Sequence, residues 1–435
     1  MSRRLLLVNR AEELPVNRDL ALRLLQTTLP DLTDEAIADS ISRELKFLAE
    51  YKYNKYEMYH PGRLFLENLY LWLQQFEKPE RTAALDFVRK ELIFVSRQEF
   101  QQLAGVVYHD TIKRRQMEVA AALGGYPPHK VQAIRESQEF KKIARASIYV
   151  GMSDGARIDY IRRHNLDISN EQVLPYYDVS STKLTDLLRE LRRAEHDDQA
   201  YFRCLFLLDD FCGSGRTLLR EVVKSKLDEG DGPAIPPQWQ AELRFDEETR
   251  ELELLYKTEF SSEDQEAIRR MGAGDAYASA VNVLFARCRT RETVLKGALY
   301  KIATGTLKEV LDVEASVFFC PLLATEHAMT RLTPLLLRLP GQFAQTKILP
   351  GAILDARTAI TSTATRIGEL CEKYYTDDLG DNHTGSVKFG FDSCGLPLVL
   401  HHNTPNNSIY LLWARKRADL NPLFVRYERH GREGA

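Results

Sequence analysis

The chain lacks most of the features that fix a protein's class at a glance. Its 435 residues hold only six cysteines (Cys204, Cys212, Cys288, Cys320, Cys371 and Cys394), far apart and without a Cys-x-x-Cys pair. Neither a disulfide scaffold nor a zinc cluster is expected from them. Long hydrophobic runs are missing too: no stretch approaches the roughly 20 apolar residues that a bilayer crossing needs. Leu5-Leu6-Leu7-Val8 is too short for a secretory core. The expectation is a soluble, cytoplasmic chain with no membrane partner. Charge of one sign is also absent, since Lys and Arg number 59 against 62 Asp and Glu, for a formal net charge of −3. That balance excludes a histone-like or ribosomal-tail character. It disfavours nucleic acid only provisionally, because basic stretches such as Lys113–Arg115 and Arg189–Arg193 offset an acidic segment near Asp228 to Glu253. There are no internal repeats and no low-complexity tract. What is present is 44% apolar and 28% charged residues, enough for a large core, and at about 150 residues per domain the length suggests two or three domains.

From Asp19 to about Lys142 the apolar residues recur at helical spacing: Leu20, Leu22, Leu24 and Leu25, then Ile37, Ile41, Leu45 and Leu48. Thr33-Asp34 before Glu35 reads as a helix start, and Pro127-Pro128 as a break. Residues 1–145 are therefore expected to form an all-helical amino-terminal region. At Ala146 the pattern changes to strand, polar glycine turn and helix: Ala146–Val150, Gly151–Arg157, then Ile158–His164. The order recurs in Tyr201–Leu208, Asp209–Thr217 and Leu218–Leu227, the last expected as a helix. Val173–Tyr177 reads as another strand and Thr182–Arg193 as another helix. Residues 229–275, rich in Gly, Pro and acidic side chains, read as an insertion. Strand Ala315–Pro321, helix Glu326–Leu337, helix Ile360–Tyr374 and strand Leu396–Leu400 complete the series. Short buried strands alternating with helices predict an α/β fold with a parallel sheet core over residues 146–435.

The segment Leu205 to Thr217 carries the strongest chemical signal. An apolar strand that ends in Asp209 and Asp210 and runs into Cys212-Gly213-Ser214-Gly215-Arg216-Thr217 suits a ribose 5-phosphate. The loop amides and a helix amino terminus behind them would face the phosphate, with the hydroxyls of Ser214 and Thr217 as further donors. Asp209 and Asp210 would accept from the ribose hydroxyls or help place a magnesium ion (Mg2+). An ordinary strand-turn-helix with a solvated Asp pair also fits. In Ser153, Asp154, Gly155 and Arg157 an earlier loop offers amides and a guanidinium fork for pyrophosphate, although Asp154-Gly155 alone is as well read as a turn. Asn403, Asn406 and Asn407 could read a base edge, or could close an Asx/Pro turn. The aromatic set Tyr51, Tyr53, Tyr56, Tyr59, Phe65, Tyr70 and Trp72 is read as packing. His109-Asp110, His196-Asp197-Asp198 and His401-His402 have no partner at metal spacing, and no metal ligand set is assigned.

Leu207-Leu208-Asp209-Asp210-Phe211-Cys212-Gly213-Ser214-Gly215-Arg216-Thr217 resembles the phosphoribosyl-pyrophosphate motif of type I phosphoribosyltransferases, with Arg216 where those enzymes carry a second glycine. Adding Tyr53–Tyr56, Pro61-Gly62-Arg63, Gly151–Gly155, His402–Asn407 and Trp413, residues 40 to 415 resemble the phosphoribosyltransferase-like effectors of bacterial conflict systems, including those encoded beside retron reverse transcriptases. The resemblance implies a type I phosphoribosyltransferase-like sheet and a site for phosphoribosyl pyrophosphate or a nucleotide. It further implies a toxic effector role in antiphage defence, with a reverse transcriptase, its noncoding RNA–DNA and a winged-helix protein as partners. Catalysis in such a site would fall to Asp209 and Asp210. One departure stands out: type I enzymes carry a long lid between their second and third strands, whereas Tyr177 here leads through Asp178–Ser181 into a helix. A lid is then absent, or comes from the insertion, the helical region or a partner. The alternative reading is a non-catalytic sensor or a module docking into a reverse transcriptase and nucleic-acid complex.

Overall fold

The computed structural model describes residues 23, 27–29, 35–59, 64–163, 168–230, 243–255, 274–339, 343–376, 387–414 and 420–426. Leu5–Val8, Leu20 to Leu25 apart from Arg23, Thr33-Asp34, Pro61–Arg63, His164 and much of the expected insertion lie outside them. The fold is mixed α/β with a parallel six-stranded sheet and helices in the amino-terminal region.

The chain divides into two compact units, each assembled from distant segments. One comprises Met1–Arg97, Thr358–Asp381 and Gly385–Ala435, and the other Gln98–Arg357 with Asn382–Thr384. The boundary expected at 145/146 thus lies inside the second unit. In the first, helices Glu35–Tyr51, Phe65–Gln74, Arg81–Lys90 and Arg366–Tyr374 enclose a core of Leu69, Trp72, Phe87, Tyr410 and Phe424. Tyr53, Tyr56 and Phe65 are buried in it, so these aromatics pack. This region is not all-helical as expected. A three-residue strand β1 (Ile93–Val95) pairs in parallel with β12 (Leu398–Leu400), and both are mostly buried.

The second unit holds the sheet. Its strands are β2 (Ser147–Gly151), β3 (Val173–Leu174), β4 (Phe202–Cys212), β9 (Leu311–Thr325), β10 (Gln345–Ile348) and β11 (Ala352–Leu354). They are ordered β10-β9-β4-β2-β3, with β11 also on β9. The central strands are covered on both faces, which is why Leu205–Leu208 and Val317–Leu323 read as continuous apolar runs. One face packs against helices Ser181–Glu195, Ala298–Thr304 and Glu326–Leu336 through Leu187, Leu299 and Leu332. On the other, Phe206 stacks between Tyr149 and Phe318 at centroid distances of 5.5 and 5.2 Å. Buried Gln116, from the helix Lys113–Gly124, donates there to Ser147 Oγ and Tyr149 OH at 2.9 and 3.0 Å. Pro321 has no amide to donate, and the edge breaks opposite it between β10 and β11.

The helix expected over Leu218–Leu227 is a strand, β5 (Arg220–Leu227). It joins β6 (Leu243–Asp246), β7 (Glu251–Leu254) and β8 (Cys288–Lys296) in an antiparallel sheet ordered β6-β7-β5-β8, which a helix Gly274–Ala286 covers with Val281 and Phe285. The excursion from the parallel sheet therefore runs from Arg220 to Lys296, wider on both sides than the expected 229–275. Its two ends meet: Arg220 pairs with Lys296, the Ala298 amide donates to Thr217 O at 3.0 Å, and the Leu299 amide donates to Leu218 O at 3.0 Å. These are the i→i−4 bonds of one helix with the excursion cut out, Gly297 taking the place that follows Leu219. The helix behind the glycine loop exists, but it is spliced from Thr217–Leu219 and Ala298–Thr304. Gly297 has φ +126°, and a Cβ there would lie 2.5 Å from Leu218 O, so the junction requires glycine.

Candidate functional site

The expected loops leave the carboxyl ends of neighbouring parallel strands, the position where open α/β sheets bind ligands. Gly151 pairs with Leu208, so the chain beyond β2 and the chain beyond Leu208 start side by side. β4 continues to Cys212 along β9 only, with Phe211 opposite Leu323 and Cys212 opposite Ala324. The flank of β4 at Asp209–Cys212 is thereby left to the β2 loop.

That loop reaches the carboxylate pair directly. Ser153 Oγ donates to Asp209 Oδ1 at 2.6 Å, and a Cβ on Gly155 would lie 2.9 Å from Asp210 Oδ2. Only a glycine at 155 allows this approach to the carboxylate. The Asp210 amide donates to Asp209 Oδ1 at 3.2 Å and the Phe211 amide to Asp210 Oδ1 at 2.9 Å, which fixes both side chains on the strand end. Arg157 follows with φ +45° and ψ 38°, a left-handed backbone that is unusual for a non-glycine residue. Burial, and then the negative charge of Asp210, hold the Asp209 carboxyl well above its ordinary pKa. Two adjacent acids in one half-buried place repel one another, and a bound divalent cation would relieve that repulsion. Among the described residues no group of three or more His, Cys, Asp or Glu converges. Two hard carboxylates suit Mg2+, which is commonly held by one or two carboxylates, waters and substrate phosphates.

The loop from Cys212 to Thr217 is defined by the direction of its backbone. Gly213 O accepts from Thr325 Oγ1, Ser214 O from Arg331 Nε at 2.6 Å, and Gly215 O from the amides of Leu218 and Leu219 at 3.1 and 3.0 Å. The carbonyls of Thr217 and Leu218 serve the spliced helix. With its carbonyls held by the scaffold, the loop keeps the amides of Gly213, Ser214, Gly215 and Thr217 without an acceptor in the described protein. Successive free amides at a helix start form an anion-binding concavity. Ser214 Oγ accepts from the Arg216 amide at 3.4 Å and keeps its proton to give; Thr217 is exposed. Gly215 lies at φ +69°, and a Cβ there would fall 2.5 Å from Leu332 Cδ1. Cys212 turns its side chain into the core and offers backbone alone.

Asp209, Asp210, Ser153, Gly155 and Cys212–Thr217 thus form one constellation, with Arg157 on the same loop as Ser153; of the Asp154 side chain nothing is described. Asn403, Asn406 and Asn407 belong to the other unit. There the Asn407 side-chain amide donates to Phe391 O at 3.1 Å and to Cys394 Sγ at 3.3 Å, Asn403 Oδ1 accepts from the Thr404 amide at 2.9 Å, and Asn406 O accepts from the Phe391 amide at 2.7 Å. Sequence reasoning passed over Thr325, Arg331 and Gly297. The signal available for Thr325 was its place as the residue capping a helix, since Thr325 Oγ1 accepts from the Ala328 amide at 3.0 Å.

Compared with known families, the chain matches the PRTase-CE model over residues 70–284 and 290–426. No curated protein and no solved structure matches it. Among the described residues no helix is long and apolar enough to cross a membrane.

Proposed function

The chain belongs to the PRTase-CE family of phosphoribosyltransferase-like proteins, and on that premise we propose that it binds phosphoribosyl pyrophosphate or a nucleotide at the ends of β2 and β4. The observation that carries the reading is the loop Gly213–Thr217, whose carbonyls are anchored and whose amides are left open beside two carboxylates. The 5-phosphate occupies the amides of Gly213, Ser214, Gly215 and Thr217, with Arg216 at the rim. The ribose hydroxyls lie against Asp209 and Asp210, the residues that would hold Mg2+. Ser153, Asp154, Gly155 and Arg157 take the pyrophosphate or its equivalent. A bound cation would supply positive charge to the ligand's oxygens and to the acid pair.

The site acts mainly by positioning. Anchoring the phosphate at one end and the leaving group at the other holds the anomeric carbon between the loops, where positive charge develops as the bond to the base or pyrophosphate lengthens. Asp209 and Asp210 face that charge. The biological role we propose is that of an effector in bacterial antiphage defence, working with a retron reverse transcriptase, its noncoding RNA–DNA and a winged-helix protein. This rests on the likeness of motifs over most of the chain.

One observation favours a second reading, a sensor that binds without turnover. After β3 the chain reaches a new helix at Ser181, capped by Ser180 Oγ on the Lys183 amide, with no room for a lid between. Calorimetric titration of the purified protein with phosphoribosyl pyrophosphate and Mg2+, followed by assay for released base or pyrophosphate, distinguishes the two. Turnover abolished by Asp210→Asn supports the enzyme. Binding without turnover supports the sensor, and no binding by the wild type removes both. Protection of cells that survives Asp209→Asn/Asp210→Asn would detach the effector role from this site.

A further inference from the structure

We infer that Arg331 and Thr325 are positioning residues of the phosphate loop, which they brace from behind through its carbonyls. The inference rests on the proposed binding of a phosphorylated ligand by Gly213–Thr217, and it names what gives that loop its shape. Both residues lie outside the glycine-rich motif. Over about two turns of the helix Glu326–Leu336 and its cap, three side chains approach the loop. Thr325 Oγ1 donates to Gly213 O. Arg331 spans the loop, donating from Nε to Ser214 O at 2.6 Å and from Nη2 to Leu219 O at 2.7 Å. Leu332 stands where a side chain at Gly215 would have to go.

Physically, a peptide group cannot turn its carbonyl one way without turning its amide the other. The anchors on Gly213 O and Ser214 O therefore aim the amides of Ser214 and Gly215 to the opposite side, where the anion sits, and the third, on Leu219 O, holds the exit of the turn. The guanidinium fork suits this role because its planar donors reach Ser214 and Leu219 together, the two ends of the turn. Leu219 is also the last residue before β5, so Arg331 ties the loop to the point where the excursion begins. A half-buried cation behind the loop adds positive potential that solvent screens less than it would a surface charge. Thr325 has two tasks on one oxygen, accepting from the Ala328 amide as helix cap while giving its proton to the loop.

The test compares full-length wild type with Arg331→Met and Arg331→Lys, using phosphoribosyl pyrophosphate with Mg2+ as the titrant. Melting of the unliganded proteins and amide hydrogen exchange over 213–217 are measured alongside. The expected result is affinity lowered about tenfold in Arg331→Met, the loss of one charge-assisted hydrogen bond or more. Faster exchange at the loop amides should accompany it, with partial recovery in Arg331→Lys, which keeps the charge without the fork. Equal affinity of Arg331→Met and wild type overturns the inference, as does an affinity loss that merely follows a fall in melting temperature with unchanged loop exchange. If Arg331→Met fails to fold, Arg331→Lys alone decides, since slower or equal loop exchange in it also overturns the brace. If the wild type binds no phosphorylated ribose at all, the proposed function fails instead. The brace is then judged by exchange alone: faster exchange over 213–217 in either variant sustains it, and equal rates end it.

Discussion

Two polar loops follow buried strands in this molecule, Gly213–Thr217 after β4 and His401–Asn407 after β12, and they dispose of their hydrogen-bonding groups in different ways. In the first, the scaffold takes the backbone carbonyls and leaves the amides open. In the second, two of the asparagines are consumed locally: Asn407 and Asn403 bond to neighbouring backbone and sulfur, and the adjoining Ser408 Oγ donates to Leu398 O at 2.6 Å. Both are rich in residues that suit ligand binding. What separates them is whether the donors are already satisfied, because a buried donor that has its acceptor gains little from a ligand.

The comparison can be broken most directly at the acid pair. Asp209→Asn/Asp210→Asn should weaken binding of phosphoribosyl pyrophosphate by about a hundredfold or more in calorimetric titration, since two charged acceptors are lost. Retained affinity would leave the first loop as inert as the second. Next in size is Gly215→Val. It forces a branched side chain into a left-handed backbone against Leu332, so unfolding stability should fall by about 1–3 kcal/mol and binding should fail with it. Asn407→Ala should cost about 1–3 kcal/mol in urea denaturation by orphaning buried partners while leaving ligand affinity unchanged. A binding defect without a stability defect would give the second loop the role assigned to the first. The smallest effect concerns pH. Burial and Asp210 raise the Asp209 pKa in the folded chain, so its protonated form favours folding. That stability is fully present below the ordinary carboxylate pKa and is lost as pH rises through the raised one. Asp209→Asn should flatten this dependence in the ligand-free protein.

Much of the sheet unit was legible because burial on both faces writes strands as apolar runs: Ile148–Val150, Leu205–Leu208 and Val317–Phe319 could hardly be placed elsewhere. The carboxylates at the strand end and the glycines after them located the site for the same reason, as local chemistry at a fixed place in the fold. Arg220-Glu221-Val222-Val223-Lys224-Ser225-Lys226-Leu227 was misread because its apolar positions suit either period. Only pairing with β7 and β8 decides it, aided by two β-branched valines. Ile93-Phe94-Val95 was lost inside a helical stretch, since its partner lies some three hundred residues onward at Leu398–Leu400. Such pairings leave no trace in a local window. Thr325 and Arg331 escaped notice similarly, for their bonds are to backbone carbonyls, which every residue carries.

The spliced helix has a consequence for how the protein becomes competent. Its first turn, next to the phosphate loop, cannot propagate until Gly297 arrives from the far end of the excursion, and closing so long a stretch of chain costs about 4 kcal/mol of entropy before any helical bond forms. The Arg220–Lys296 rung of the antiparallel sheet meets that cost by bringing the two ends together. Folding should then proceed from the outside inward: the antiparallel module matures first, the helix joins across its base, and the anion loop takes shape last. On this order a newly made chain stays blind to its ligand until the appended sheet is complete.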